Sequence, residues 1–181
     1  TAIKYLKLAA DNGDEIAMTN YTFIIHNTTK YSYNTEEVIK YYKMAIDKGF
    51  PSAMINYASM LSNGNGIPIN KKEAIKYLKM TIDKGNIIAL VNYAAMLKDC
   101  DGIEMNKEKA VEYFKIAIEK GNIYAMVNYA IMLIDGDGIP CDIEKALNYL
   151  KIGIEHDNEE AMFQYALMLH TGDKIPVNKE E

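Results

Sequence analysis

Apolar residues recur along this chain with two periods at once. The shorter period is helical: Ala74, Tyr77, Leu78, Thr81 and Ile82 keep the i, i+3, i+4, i+7 spacing of an amphipathic helix, with Lys72, Lys76, Lys79 and Asp83 on the other side. The longer period is 36 residues, the step from Tyr41 to Tyr77, and it runs through the chain without an insertion. Ala2, Val38, Ala74, Ala110 and Ala146 share one phase, and Tyr5, Tyr41, Tyr77, Tyr113 and Tyr149 another. A third phase holds Ala17, Ala53, Ala89, Ala125 and Ala161; a fourth holds Tyr21, Tyr57, Tyr93, Tyr129 and Tyr165. Leu61, Leu97, Leu133 and Leu169 follow, with Ile25 in the first unit. Self-similarity at such a period is the mark of a repeat architecture.

Each unit predicts two helices. The first kind opens on a cap, Asn70 with Glu73 three residues later, a pairing that Asn34 and Glu37 repeat. It closes on Gly49, Gly85 or Gly121, each preceded by a lysine (Lys48, Lys84, Lys120) at the negative end of the helix dipole. The second kind is expected over roughly 51–62, 87–98 and 123–134. It ends in a glycine-marked loop, at Gly64 and Gly66, at Gly102, and at Gly136 and Gly138. Ile67, Ile103 and Ile139 follow and should pack the loop onto the core, while Pro68 and Pro140 separate it from the next helix. In the first unit Thr28 and Lys30 replace both glycines, which predicts an irregular loop at 28–33. The expected fold is all-α, about ten helices in antiparallel pairs with no strand.

This pattern resembles the Sel-1-like repeat, a relative of the tetratricopeptide repeat. The family's Ala, Leu-Gly, Tyr, Gly-x-Gly-Val, polar cap, Lys-Ala and closing Ala-Ala-x-x-Gly fall on Ala53, Tyr57-Ala58, Leu61, Gly64-Asn65-Gly66-Ile67, Asn70, Glu73-Ala74 and Thr81-Ile82 through Gly85. The departures are regular: Tyr and Leu exchange places and Ala stands for the small Gly, which keeps core volume similar. The resemblance covers the whole chain and implies an α-α superhelix, a right-handed solenoid of helix-turn-helix repeats. Residues 1–181 read as a single array of about five repeats, and as a segment of a longer one, since neither end carries the polar capping helix that solenoid termini need.

The resemblance also implies that the second helix of each repeat lines the concave side of the superhelix. On a helical wheel of 87–98, Ala89, Tyr93, Met96 and Leu97 form a core arc. The opposite arc carries Ile88, Val91, Asn92, Ala95 and Asp99, with Tyr124, Val127, Asn128, Ile131 and Asp135 one repeat later. No charge interrupts Ile87 to Leu97, and a helix apolar all round is either buried or presents a face to a partner. Asn20, Asn56, Asn92 and Asn128, with Gln164, recur at one phase of this arc. A carboxamide both donates and accepts, so such a ladder could pair with the backbone of an extended peptide, or could instead bond a neighbouring helix and fix repeat register. The candidate partner-binding residues are these five with Ile88, Val91, Tyr124, Val127 and Ile131.

Other chemistry is sparse. The net charge of -5 and the absence of arginine exclude a phosphate-reading surface, and so a nucleic-acid partner. No apolar run approaches the ~20 residues of a membrane span. Cys100 and Cys141 form neither a disulfide framework nor a zinc spacing and do not fix a compartment, though a reducing one is tolerated. His26 and His170 share a phase but lie four repeats apart, on the order of 40 Å at ~10 Å per helix, too far to share a metal. Cys141 has no nearby His, and Asp135-Gly136-Asp137-Gly138 with Asp142 lacks the spacing and closing Glu of a calcium loop. No metal, cofactor or catalytic group is expected. The reading is a non-enzymatic scaffold that binds a protein or peptide. The alternatives are a structural spacer, or a small-molecule-binding or hydrolytic member; members linked to β-lactam binding carry paired cysteines in each repeat, which this chain lacks.

Overall fold

The computed structural model describes residues 2–28 and 35–171. They divide into two compact units, one up to Ala89 and the other from Leu90 onward. The first contains α1 (Ala2–Asp11), α2 (Glu15–Thr28), α3 (Thr35–Asp47), α4 (Pro51–Asn63) and α5 (Lys71–Ile82). The second contains α7 (Lys107–Glu119), α8 (Ile123–Asp135), α9 (Ile143–Glu155) and α10 (Glu159–Thr171), and the division falls inside α6 (Ile87–Lys98). These are ten helices and no strand among the described residues. Odd-numbered helices are the first kind of the sequence pattern and even-numbered ones the second. The irregular loop expected at 28–33 lies outside the described residues beyond Thr28, where α2 ends, and so does the Asn34 cap.

The helices begin where local chemistry satisfies their free amides. Asn70, Asn106 and Asp142 accept from the amides of Glu73, Lys109 and Lys145 at 3.1, 2.9 and 3.0 Å. The reciprocal half of the expected capping box differs. Glu73 takes the side-chain amide of Asn70 at 2.9 Å, because the backbone amide of Asn70 is already used by the carbonyl of Leu61. Asn106 bonds Leu97 and Asp142 bonds Leu133 in the same way, at 3.0 and 3.1 Å. One hydrogen bond thus ties the start of each of α5, α7 and α9 to the leucine near the end of the preceding second helix. At the other end, Gly49, Gly85 and Gly121 take φ of 85°, 79° and 75°, the left-handed cap expected of them.

Packing inside each unit repeats with the sequence. Tyr21 meets Tyr41 edge-on at 5.3 Å and Tyr57 meets Tyr77 at 5.5 Å in the first unit. Tyr93 meets Tyr113 at 6.0 Å and Tyr129 meets Tyr149 at 5.8 Å in the second. Such pairs contribute about 0.5–1.5 kcal/mol each beyond burial. Lys48 and Lys84, expected only to balance a helix dipole, also donate across repeats to the carbonyls of Gly13 and Gly49, at 2.7 and 3.1 Å. Helices approach closely at Gly153 of α9, where a Cβ would stand 2.6 Å from the Ala161 Cβ and 3.0 Å from Val127 Cγ2. One polar cluster sits among α1, α2 and α3. Tyr41 donates to Asp11, Tyr21 donates to Glu37 at 3.3 Å, and Lys7 pairs with Glu37 at 2.5 Å.

Two stability measurements follow from this packing. Gly153→Ala should destabilise the fold by about 1–3 kcal/mol through overpacking, although alanine is favoured over glycine inside a helix by about 1 kcal/mol. Urea unfolding checks it; an unchanged or raised midpoint would show that α10 is free to move aside. The second concerns alkaline pH. Burial, first, and then bonding to Asp11 raise the pKa of Tyr41, and burial is the largest cause for Tyr21, Tyr57 and Tyr77. The unfolded chain releases these protons near pH ~10 while the folded chain holds them, so stability is complete below that pH and falls as pH rises above it. Tyr41→Phe should make the decline shallower in urea titrations across the alkaline range. An identical slope would exclude Tyr41 as its source.

Candidate functional site

The second helices present their first turns outward, and those turns are held by caps that the sequence reading missed. Asn86, Asn122 and Asn158 accept from the amides of Ala89, Ala125 and Ala161 at 3.0, 2.9 and 2.9 Å, and Asp14 does the same for Ala17 at 2.6 Å. Their shared 36-residue phase was the available signal. α4 departs from it, with Phe50 in the cap position, no side-chain bond, and Pro51 at the first helical residue.

Against this frame the ten candidate residues divide. Ile88 and Tyr124 are 56% and 67% exposed, large values for apolar and aromatic side chains, and Ile131 is half-buried. Val91 and Val127 are more buried than the wheel implies, at 6% and 2% exposure, although Val127 still contributes to the lining of a cleft. The reason is the neighbouring pair. A second helix is flanked on more than one side, and Val127 lies against the Gly153 position of α9. Asn20 is exposed, while Asn56, Asn92, Asn128 and Gln164 are half-buried. Asn128 donates to the Tyr124 carbonyl at 2.9 Å and Gln164 donates to Glu160 at 2.7 Å. Both bonds stay within one helix, so neither joins repeats.

A cleft opens at this level in each unit. In the first, Ile16, Thr19, Asn20, Phe23, Phe50, Ser52 and Asn56 line about 300 Å³. Ile16 and Phe23 are 65% and 54% exposed, apolar groups that the candidate list omitted because only the later repeats were placed on the wheel. In the second, Ile123, Tyr124, Val127, Asn128, His156, Asp157, Asn158, Glu159 and Glu160 line about 790 Å³. The clefts bring together Asn20 with Asn56, and Tyr124 with Asn128. They can hold side chains of an extended ligand and offer carboxamides to its backbone.

The remaining polar groups have local tasks. Asp137 pairs with Lys107 and Asp142 caps α9, so two carboxylates of the glycine-rich loop are already committed. Cys100 and Cys141 are exposed, with Sγ contacts of 3.5 Å to the carbonyls of Ile103 and Ile134. His156 directs Nδ1 at the Ile152 carbonyl at 2.9 Å. Among the described residues no group of three His, Cys, Asp or Glu is placed to hold a metal ion, and no helix is long and apolar enough to cross a membrane.

Comparison with known proteins agrees with this geometry. The chain shares its fold with a Sel1 repeat protein from Oxalobacter formigenes, at a TM-score of 0.81 and 24% identity, over 99% of this chain and 73% of that one. It is similar to a protective antigen present in uropathogenic Escherichia coli strains that displays an SLR (Sel1-like repeat) fold, at a TM-score of 0.77 and 21% identity over 94% of this chain. The chain spans 36% of that antigen's length. A sel1 repeat protein from Klebsiella pneumoniae subsp. pneumoniae matches at a TM-score of 0.61 and 19% identity, over 92% of this chain and 83% of that one. No curated protein matches. The Sel1 repeat pattern itself matches residues 1–14, 32–50, 51–86, 88–122, 123–158 and 159–181. With most of its length matched repeat by repeat, the chain belongs to the Sel1 repeat family.

Proposed function

We propose that the chain, acting as one array over residues 1–181, is a non-enzymatic scaffold that takes an extended peptide or a partner helix along its second helices. One observation carries the reading. Exposed apolar side chains and recurring carboxamides share the same clefts: Ile16 and Phe23 with Asn20 and Asn56, and Tyr124 with Asn128. Apolar side chains left in water are a cost that a partner removes, and the amides supply direction. Sel1 repeats generally mediate protein–protein interaction, which supports the class of function. The role needs no chemistry from the chain. The perturbed tyrosines are held neutral by burial, the opposite of activation.

The test is a titration of a peptide from a captured partner. Each neutral hydrogen bond contributes about 0.5–1.5 kcal/mol, so Asn56→Ala, Asn92→Ala or Asn128→Ala alone should weaken binding by up to about tenfold. The triple variant should all but abolish binding at unchanged helix content. Changing Lys72, Lys76 and Lys79 on the outer face of α5 to alanine should have little effect. An asparagine triple variant that unfolds would assign the amides to holding the repeats. One that folds and binds normally would remove the clefts from the function.

A further inference from the structure

Three asparagines of the chain precede a glycine, in Asn12-Gly13, Asn63-Gly64 and Asn65-Gly66. That dipeptide carries a reaction of its own. A glycine has no Cβ to shield its backbone nitrogen, so the nitrogen can reach the side-chain carbonyl of the asparagine before it. In a folded chain two things decide whether it does. The glycine amide must not be held in a hydrogen bond, and the backbone must be free to bring nitrogen and carbonyl together.

The three sites differ on both counts. The Gly13 amide donates to the Ala10 carbonyl at 3.0 Å, in the turn that follows α1. The Gly64 amide donates to the Met60 carbonyl at 3.0 Å as the C-cap of α4. Asn63 is itself the last residue of that helix, with its carboxamide directed at Ser59 Oγ at 3.4 Å. Reaction at either place must first open a helix end. Asn65 and Gly66 lie beyond the helix and are both exposed, and among the described residues the Gly66 amide has no backbone acceptor. The neighbouring repeats show what this loop tolerates. The positions equivalent to Asn65 one and two repeats later are Asp101 and Asp137, each again followed by glycine. A carboxylate here is compatible with the fold, and Asp137 uses its own to pair with Lys107. A longer backbone is a different matter, because the loop closes with the Asn70 amide on the Leu61 carbonyl at 2.9 Å, the bond that ties α5 to α4.

We propose that Asn65 is a site of spontaneous covalent modification, deamidating ahead of Asn12 and Asn63 and loosening the junction of α4 and α5 as it does so. The Gly66 backbone nitrogen gives its proton to hydroxide and attacks Asn65 Cγ. A C–N bond forms, and the carboxamide nitrogen leaves as ammonia with a proton taken from water. Water then opens the resulting cyclic imide at either of its carbonyls. One product is the aspartate that the later repeats carry at this position. The other is isoaspartate, whose main chain runs through Cγ and is longer by one carbon. The reaction needs only water and hydroxide, and it is independent of the role given to the clefts.

Ageing the purified chain in mildly alkaline buffer tests it, with peptide mass mapping over time and electron-transfer fragmentation to place the modified residue and separate aspartate from isoaspartate. Asn65 should convert about tenfold or more faster than Asn12 or Asn63, because those two wait on the opening of a helix end. Conversion should quicken as pH rises, since the attacking nitrogen must lose its proton. Asn65→Gln, whose extra methylene disfavours ring closure, should remove the fast conversion, and Asn63→Gln should leave it. The aged chain should melt below the fresh one, whereas Asn65→Asp, which adds the charge without the extra backbone carbon, should melt with the fresh chain. Equal conversion at the three asparagines, or a lead at Asn12 or Asn63, would overturn the assignment. So would an Asn65 that stays intact while the same residue converts in the urea-unfolded chain. An aged chain, converted at Asn65, that melts with the fresh one would overturn the loosening of the junction.

Discussion

A pair of amphipathic helices covers only one side of each helix, and the face left over must be closed by the next pair. That requirement organises both units. In the first, α2 packs against α1 and α3; in the second, α8 packs against α7 and α9. The contact residues are a tyrosine of the second helix on a tyrosine of the following first helix, and alanines thin enough to let backbones approach. Ala53, Ala89, Ala125 and Ala161 have no exposure, and Ala58, Ala94 and Ala130 have at most 1%. A side chain has almost no freedom to grow at such a place, because its neighbours are themselves close-packed.

The same closure decides what is left for function. A second helix flanked by neighbours buries most of its circumference, as α8 does with Ala125, Val127, Ala130 and Leu133. What stays open is the first turn and the turn before it. There the repeats stop resembling one another: Glu15-Ile16, Pro51-Ser52, Ile87-Ile88, Ile123-Tyr124 and Glu159-Glu160 occupy one pair of positions. Core positions keep their size because packing penalises change, while the exposed pair is free to differ. A scaffold built this way can vary its clefts repeat by repeat without disturbing the bonds from Asn70, Asn106 and Asp142 to the leucine carbonyls that hold it together.

The sequence by itself determined the helices, their pairing and their ends. Tyrosine, alanine and leucine recur at fixed phase because each repeat meets the same neighbours, and caps such as Asn70 and glycines such as Gly85 act within one turn of chain. Periodicity also placed Asn20 and Asn56 at one phase, and they line one cleft. Tertiary structure alone decided the fate of Val91 and Val127. A wheel knows one helix, and Val127 is covered by another, beside Gly153 of α9. It also decided that Lys48 and Lys84 reach back to the carbonyls of Gly13 and Gly49, and that Asp157 and Glu160 line one cleft with Tyr124. Local signals fix local geometry, whereas exposure and charge partners depend on residues about one repeat away, brought near only by packing.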